Sequence, residues 1–178
     1  VPKFLFNKPK KKLDLHLVEY VIADTSFTEQ ERNLIKFAIK NLEYFCNGLN
    51  KINISYELTL DNINQYNNYS LLIKVDSNHP LIIKTDESMP CKTLGLCESF
   101  SKQISRLYLV TERFYNNITF ITTTMHELGH FIGLGHTETP SVMHKINFSN
   151  VLYFTYEDAK EFGKAWQIDP EQLNYFKL

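Results

Sequence analysis

Eleven consecutive residues, from His126 to His136, constrain the fold of this chain more than any other segment. They read H-E-x-x-H-x-x-G-x-x-H, in which the three histidines are His126, His130 and His136. His126 and His130 stand one helical turn apart, so on an α-helix both imidazoles project from the same face. Gly133 can adopt the positive φ that ends a helix and reverses the chain. We therefore predict a helix that ends near Gly133, after which the chain returns His136 towards the first two histidines.

This spacing of ligand-type residues predicts a metal centre. Three neutral imidazole nitrogens suit zinc, and three protein ligands leave its fourth position for water, which is the pattern of catalytic rather than structural zinc sites. Glu127 lies next to a ligand without being needed as one, so its carboxylate can accept a proton from that water. The competing interpretation is a histidine-rich helix end that binds no metal. We predict that His126, His130 and His136 hold one catalytic Zn²⁺ and that Glu127 is the base.

The motif resembles the signature of the metzincin zinc endopeptidases, which combine it with a following Met-turn. The matching turn is Ser141-Val142-Met143-His144, in which the methionine lies seven residues beyond His136. The resemblance implies that Met143 forms an apolar floor beneath the zinc and is not a ligand. The turn is similar to that of astacins, but Lys145 stands where astacins carry a tyrosine that reaches the zinc or the transition state. This departure places the chain nearer the matrixins, which work without that tyrosine.

Hydrophobic periodicity predicts that strands and helices alternate along the chain. The predicted strands are 13–23, 52–60, 71–75, 94–100 and 104–110. The predicted helices run from about Leu34 to Gly48, over 118–132, and from Thr155 to Ile168, the last beginning with a capping box of Thr155 and Asp158. The short apolar run Leu81-Ile82-Ile83 is expected either to continue the third strand or to form a loop buried at its rim.

This order of elements resembles the N-terminal subdomain of metzincins. The resemblance implies an α+β fold with a mixed, mostly parallel twisted sheet of about five strands, a backing helix and an active-site helix. A small irregular C-terminal subdomain with one helix should follow. We expect a single catalytic domain over residues 1–178, divided into an upper subdomain of residues 1–133 and a lower one of residues 134–178. A length of 178 residues with 43% hydrophobic content is compatible with one such domain.

Composition excludes some classes of partner. The formal net charge of −1 gives no excess of positive charge that would attract nucleic acid. No stretch approaches the roughly 18 consecutive apolar residues of a membrane span. The chain begins at Val1 and not at Met, from which we expect that an upstream segment was removed and that the protein is secreted or held at the cell surface. We also expect it to act as a monomer.

The three cysteines are expected to differ in their surroundings. Cys91 and Cys97 could close a small disulfide loop in an oxidising compartment, whereas Cys46 is predicted to be a buried thiol. No nearby His or Cys completes a zinc site with Cys91 and Cys97.

Matrixins carry a structural Ca²⁺ or second Zn²⁺ site before the active helix, which could involve His79. The other ligands of such a site are missing here, so the sequence favours a loop.

The resemblance implies a zinc-dependent endopeptidase. Glu127 is expected to take a proton from the zinc-bound water as that water attacks the scissile carbonyl, and then to deliver it to the leaving amine. A protein or peptide substrate should lie extended along the cleft and pair with the edge strand Leu94–Phe100. The alternative is a protein that uses the same scaffold and its zinc mainly to bind a partner, with little turnover. The presence of Glu127 favours the enzyme, because a degenerate site usually loses its base first.

Overall fold

A five-stranded sheet runs through the computed structural model, which describes residues 18–47, 51–55, 69–99, 104–146 and 151–177. The strands are β1 (Val18–Ala23), β2 (Lys51–Ser55), β3 (Tyr69–Val75), β4 (Gly95–Ser99) and β5 (Ile104–Val110). Their order in the sheet is β2-β1-β3-β5-β4, and all neighbours are parallel except β4, which is antiparallel to β5. The helices are α1 (Glu29–Cys46), α2 (Pro80–Ser88), α3 (Asn117–Phe131) and α4 (Tyr156–Trp166). The predicted α+β class is confirmed.

Helix α1 forms where the sequence supplies both a start signal and an apolar face. Thr28 caps the helix by accepting the Glu31 N–H, while the Glu31 side chain accepts the Thr28 N–H, so two backbone donors are satisfied at once. The buried residues recur at helical spacing and are Ile35, Ala38, Ile39, Leu42, Phe45 and Cys46. Cys46 is therefore the buried thiol that was predicted. The helix ends at Asn47, which adopts the left-handed conformation with φ of 51°.

The prediction for Leu81-Ile82-Ile83 is wrong, because these residues belong to helix α2. Pro80 occupies the first turn, where its missing N–H costs nothing, and the His79 ring accepts the Leu81 N–H. Ile82 alone of the α2 residues is buried, against Tyr108 and Val110 of β5. Strand β3 ends at Val75, as predicted for 71–75, and Asp76 then accepts the Asn78 N–H in a tight turn.

The main core lies on the opposite face of the sheet from α2. Leu107 and Leu109 of β5 point into it together with buried residues of α1, α3 and α4, whereas Tyr108 and Val110 point towards α2. Helix α4 begins with the predicted capping box of Thr155 and Asp158. Its Trp166 is a core residue, and the indole N–H donates to the carbonyl oxygen of Ile132 at 2.6 Å.

No disulfide joins Cys91 and Cys97, the pair for which the sequence left one possible. Cys97 lies on β4, with its side chain buried in the main core, while Cys91 lies in the exposed segment before that strand.

Some expectations fall on other parts of the chain. Residues 13–17 of the predicted first strand, 56–60 of the second and residue 100 of the fourth lie outside the described residues. Within the described ranges, no helix is long and apolar enough to cross a membrane.

Candidate metal centre

Helix α3 carries the first two histidines. Its threonine-rich sequence has a low helix propensity, so tertiary contacts must stabilise the helix. Asn116 caps it by accepting the Thr119 N–H at 2.9 Å. The run Thr122-Thr123-Thr124 is buried, and the Thr124 hydroxyl donates to the Phe120 carbonyl oxygen at 2.8 Å. This intrahelical bond satisfies a hydroxyl that burial would otherwise leave unpaired, while packing in the core offsets the low helix propensity of threonine. The helix predicted over 118–132 is confirmed as Asn117–Phe131, although Ile118 in its first turn is exposed.

The three histidines converge on one point. The Nε2 atom of His126 lies 3.2 Å from Nε2 of His136 and 3.1 Å from Nε2 of His130. Tetrahedral zinc with Zn–N bonds of about 2.0–2.1 Å needs ligand nitrogens roughly 3.3 Å apart. Among the residues that the structure describes, these three form the one group of His, Cys, Asp or Glu side chains able to hold a metal ion. The donor set therefore fits zinc in both number and spacing.

Backbone carbonyls orient two of the rings for metal binding. The Nδ1 atom of His126 lies 2.7 Å from the Val142 carbonyl oxygen, and Nδ1 of His130 lies 2.9 Å from that of Leu134. A carbonyl oxygen only accepts, so each Nδ1 carries the proton and each Nε2 keeps its lone pair for a metal. Residues beyond the helix thus fix the ring tautomers that the site needs.

A turn at Gly133 brings the third histidine back, as predicted. Gly133 has φ of 105°, a conformation that side-chain-bearing residues rarely adopt. The turn is closed by hydrogen bonds from the Gly133 N–H to the His130 carbonyl oxygen and from the Leu134 N–H to that of Gly129. His136 follows three residues later, half-buried at the mouth of the site.

Burial keeps the histidines in the form that binds metal. It lowers the pKa of His126 to about 4, with a further contribution from the neighbouring His136 ring. Burial is also the largest cause of the lowered pKa of His130 and of His136. All three imidazoles are therefore neutral near pH 7, and neutral imidazole is the ligand form.

The Glu127 carboxyl lies between α3 and β4, beside the histidine group. Burial raises its pKa to about 8, and no residue in the described ranges hydrogen-bonds its Oε2 atom. A cation held by the histidines would favour the carboxylate form and oppose this shift. Burial alone thus favours the protonated carboxyl, and a cation at the histidines would make it the carboxylate that can accept a proton.

Met143 packs directly beneath α3. The closest heavy atoms to a Cβ placed on Gly129 would be Sδ and Cε of Met143, so the glycine gives this side chain its space. Ser141 accepts the Met143 N–H at 2.9 Å, and the Met143 carbonyl oxygen accepts the Thr137 N–H at 3.0 Å. The turn that carries Met143 is thereby fixed against the segment that carries His136.

The site opens into a cavity of about 1090 Å³. One wall is built from β4 and from α2 with the segment that follows it, including Gly95, Leu96 and Lys92. Lys145 is exposed and also lines the cavity, and its charge contributes, after burial, to the lowered pKa of His136. His79 caps α2, so the structure gives it a local role in that helix.

Sequence reasoning missed the ion pair between Asp86 of α2 and Arg113, which fastens the wall of the cavity. It also missed how closely Gly95 approaches Glu127. A glycine within a strand is a general signal of close backbone approach, but the partner could not be read from the sequence.

Comparison with known proteins gives a distant structural match. No family model matches the chain, and no curated protein does. Metalloproteinase-II from Bacteroides fragilis matches with a TM-score of 0.50 and 13% sequence identity. The match covers 93% of this chain and 60% of the length of that protein. The chain therefore has a metalloproteinase-like fold, in which three histidines form a possible metal site.

Proposed function

We propose that the chain is a zinc-dependent endopeptidase of the metzincin type. The observation that carries the proposal is the convergence of three Nε2 atoms, with that of His126 3.1 and 3.2 Å from those of His130 and His136, in a cavity that the buried Glu127 also lines. Three nitrogen ligands at this spacing favour zinc over the hard cations, which prefer oxygen. The spacing of the motif and the packing of Met143 under α3 support the metzincin assignment.

Each residue of the centre has a distinct part in the proposed reaction. His126, His130 and His136 would hold the zinc, which when bound supplies Lewis-acid polarisation and lowers the pKa of water. Glu127 accepts a proton at its carboxylate from the attacking water and then donates it to the leaving amine. Met143 supplies an apolar surface below the site and takes no part in proton transfer.

The substrate proposed for this site is an extended segment of protein. Strand β4 lies at the edge of the sheet and lines the cavity, so a substrate strand could pair with it by backbone hydrogen bonds. The side-chain preference would then arise from the rest of the cavity wall. Action as a monomer and a secreted or cell-surface location stay predictions.

The test is hydrolysis of denatured casein by the purified, zinc-loaded protein, with and without a chelator. We expect cleavage that the chelator abolishes and that stoichiometric zinc restores. Glu127→Ala keeps all three ligands, so its zinc content and thermal unfolding should match the wild type while hydrolysis falls by about 10²–10⁴-fold. Glu98→Ala is the matched control, because Glu98 lines the same cavity on β4 but its carboxylate accepts a hydrogen bond from Tyr108.

The same experiment decides between the enzyme and the alternative of a zinc-binding protein that acts through a partner. No cleavage by the zinc-loaded wild type, or equal cleavage by wild type and Glu127→Ala, would reject the peptidase. The buried carboxyl of Glu127, whose Oε2 atom has no hydrogen-bond partner among the described residues, favours the enzyme: burying such a group costs stability, and a catalytic role accounts for it despite that cost.

A further inference from the structure

Gly95, the first residue of β4, faces the Glu127 side chain at close range. A Cβ placed on Gly95 would lie 2.9 Å from Cγ and 2.9 Å from Oε1 of Glu127, and 3.1 Å from its Cδ. These three atoms are the nearest heavy atoms that such a Cβ would meet. A distance of 2.9 Å falls roughly 0.5 Å short of ordinary contact between carbon atoms.

Backbone conformation does not explain a glycine at this position. Gly95 pairs with Leu109 in a regular antiparallel ladder, and in the described ranges Gly133 is the glycine with positive φ. Glycine in a strand weakens it, because it loses more conformational freedom on folding than other residues and packs no side chain. A residue with a side chain would therefore be favoured at position 95 if space allowed one.

The space is taken by Glu127, whose carboxyl has few other restraints. No residue in the described ranges hydrogen-bonds its Oε2 atom, so packing between α3 and β4 sets the position of the carboxyl. The atoms that would have to move lie at the end of a flexible side chain and not in the backbone. An added methyl group would consequently displace the carboxyl more readily than it would disrupt the fold.

We infer that Gly95 is a positioning residue: its missing side chain leaves the space in which the Glu127 carboxyl is held beside the three histidines. The catalytic consequence rests on the function proposed above, whereas the steric coupling between the two residues does not. A misplacement of a reacting group by about 1 Å can cost about 10²-fold in rate, so even a partial displacement should be measurable.

The test is a double-mutant cycle with wild type, Gly95→Ala, Glu127→Ala and the double variant, each loaded with zinc. For Gly95→Ala we expect kcat on a peptide substrate to fall about 10- to 100-fold, with KM and zinc content within a few-fold of wild type. In the Glu127→Ala background the same substitution should cause no further loss, because the group that it displaces is gone.

Thermal unfolding of the same four proteins gives a readout that needs no activity. Gly95→Ala should lower Tm in the wild type but leave it unchanged or raise it in Glu127→Ala, where the methyl group has room and alanine is the better strand residue. A parallel cycle with Glu98→Ala is the control and should be additive. If Gly95→Ala fails to fold, a folded double variant supports the coupling and an unfolded one contradicts it.

Equal Tm changes in the two backgrounds, or a normal kcat for Gly95→Ala, would overturn the inference. A wild type that cleaves nothing would instead reject the proposed function, and the Tm cycle would still decide whether Gly95 makes room for Glu127.

Discussion

Arg113→Ala is expected to loosen the cavity wall formed by α2 and to lower the free energy of unfolding. The guanidinium donates to both carboxylate oxygens of Asp86, at 3.0 and 2.8 Å, and also to the Thr93 carbonyl oxygen at 2.8 Å. Asp86 in turn accepts the Thr93 N–H at 2.8 Å. These hydrogen bonds therefore join α2 to the segment that leads into β4. Strand β4 carries Gly95 and lines the same wall of the cavity.

The expected loss at pH 7 is about 1–2 kcal/mol. Hydrogen bonds to charged groups contribute about 1.5–3 kcal/mol, and a bidentate pair is at the stronger end. The side chains of Arg113 and Asp86 retain 13% and 26% of their exposure, so solvent screening reduces the value. For a chain of this size the corresponding fall in Tm is roughly 2–8 °C.

The effect should depend on pH with a defined sign. The hydrogen bonds from Arg113 hold the pKa of Asp86 well below its usual range. A carboxyl whose pKa is lower in the folded state stabilises the protein above its unfolded pKa of about 3.9, and this contribution is lost as the pH falls through the folded value. The difference between wild type and Arg113→Ala should thus be full at pH 7 and shrink below about pH 4.

Urea unfolding followed by circular dichroism at pH 7 and pH 3 measures both quantities. Lys74→Ala is the control, because it breaks the Lys74–Glu31 pair, in which the lysine side chain is 30% exposed, and should cost less than about 1 kcal/mol. A loss below about 0.5 kcal/mol for Arg113→Ala at pH 7, or the same loss at both pH values, would refute the reasoning.

Four further predictions concern the centre itself. His130→Ala leaves two imidazoles, so elemental analysis should show that the bound zinc is lost, and full occupancy would contradict the ligand assignment. Metal-free Glu127→Ala lacks the buried carboxyl whose raised pKa acts in the opposite direction, while burial lowers the pKa of His126 to about 4 and also lowers those of His130 and His136. The unfolded chain of this variant binds more protons below about pH 6.5, so its Tm should fall as the pH drops from there towards 4, and a flat Tm would count against this. Lys145→Ala should leave kcat within a few-fold because the side chain is exposed, whereas a loss of about 100-fold at unchanged zinc content would make Lys145 an oxyanion donor. Met143→Leu should cost less than about 1.5 kcal/mol in urea unfolding, since the two side chains are close in volume, and a larger cost would show that the thioether itself is needed.

Local features of the centre could be predicted from the sequence because each depends on near neighbours along the chain. The one-turn spacing of His126 and His130 requires only helical geometry, and the reversal at Gly133 requires only a residue that tolerates positive φ. The capping box at Thr155 is equally local, since it joins groups within one helical turn. These patterns located α3, α4 and the turn between the second and third histidines.

The contacts across the fold were decided by the tertiary structure. Leu81 to Ile83 form part of α2 because the His79 cap and Pro80 start a helix, and Ile82 of this helix packs on β5. A run of three apolar residues does not by itself distinguish a strand from a helix. The sequence left a Cys91–Cys97 disulfide open; the structure does not join the two residues and packs Cys97 in the main core.

The surroundings of the proposed base, Glu127, were also decided by the tertiary structure. The sequence places Glu127 next to a metal ligand, but it does not show what surrounds the carboxyl. The sheet order β2-β1-β3-β5-β4 places β4 at the edge, and Gly95 at the start of that strand meets Glu127 of α3. Periodicity reports which face of an element is apolar and not which element it will face, so the space around Glu127 is a property of the folded chain alone.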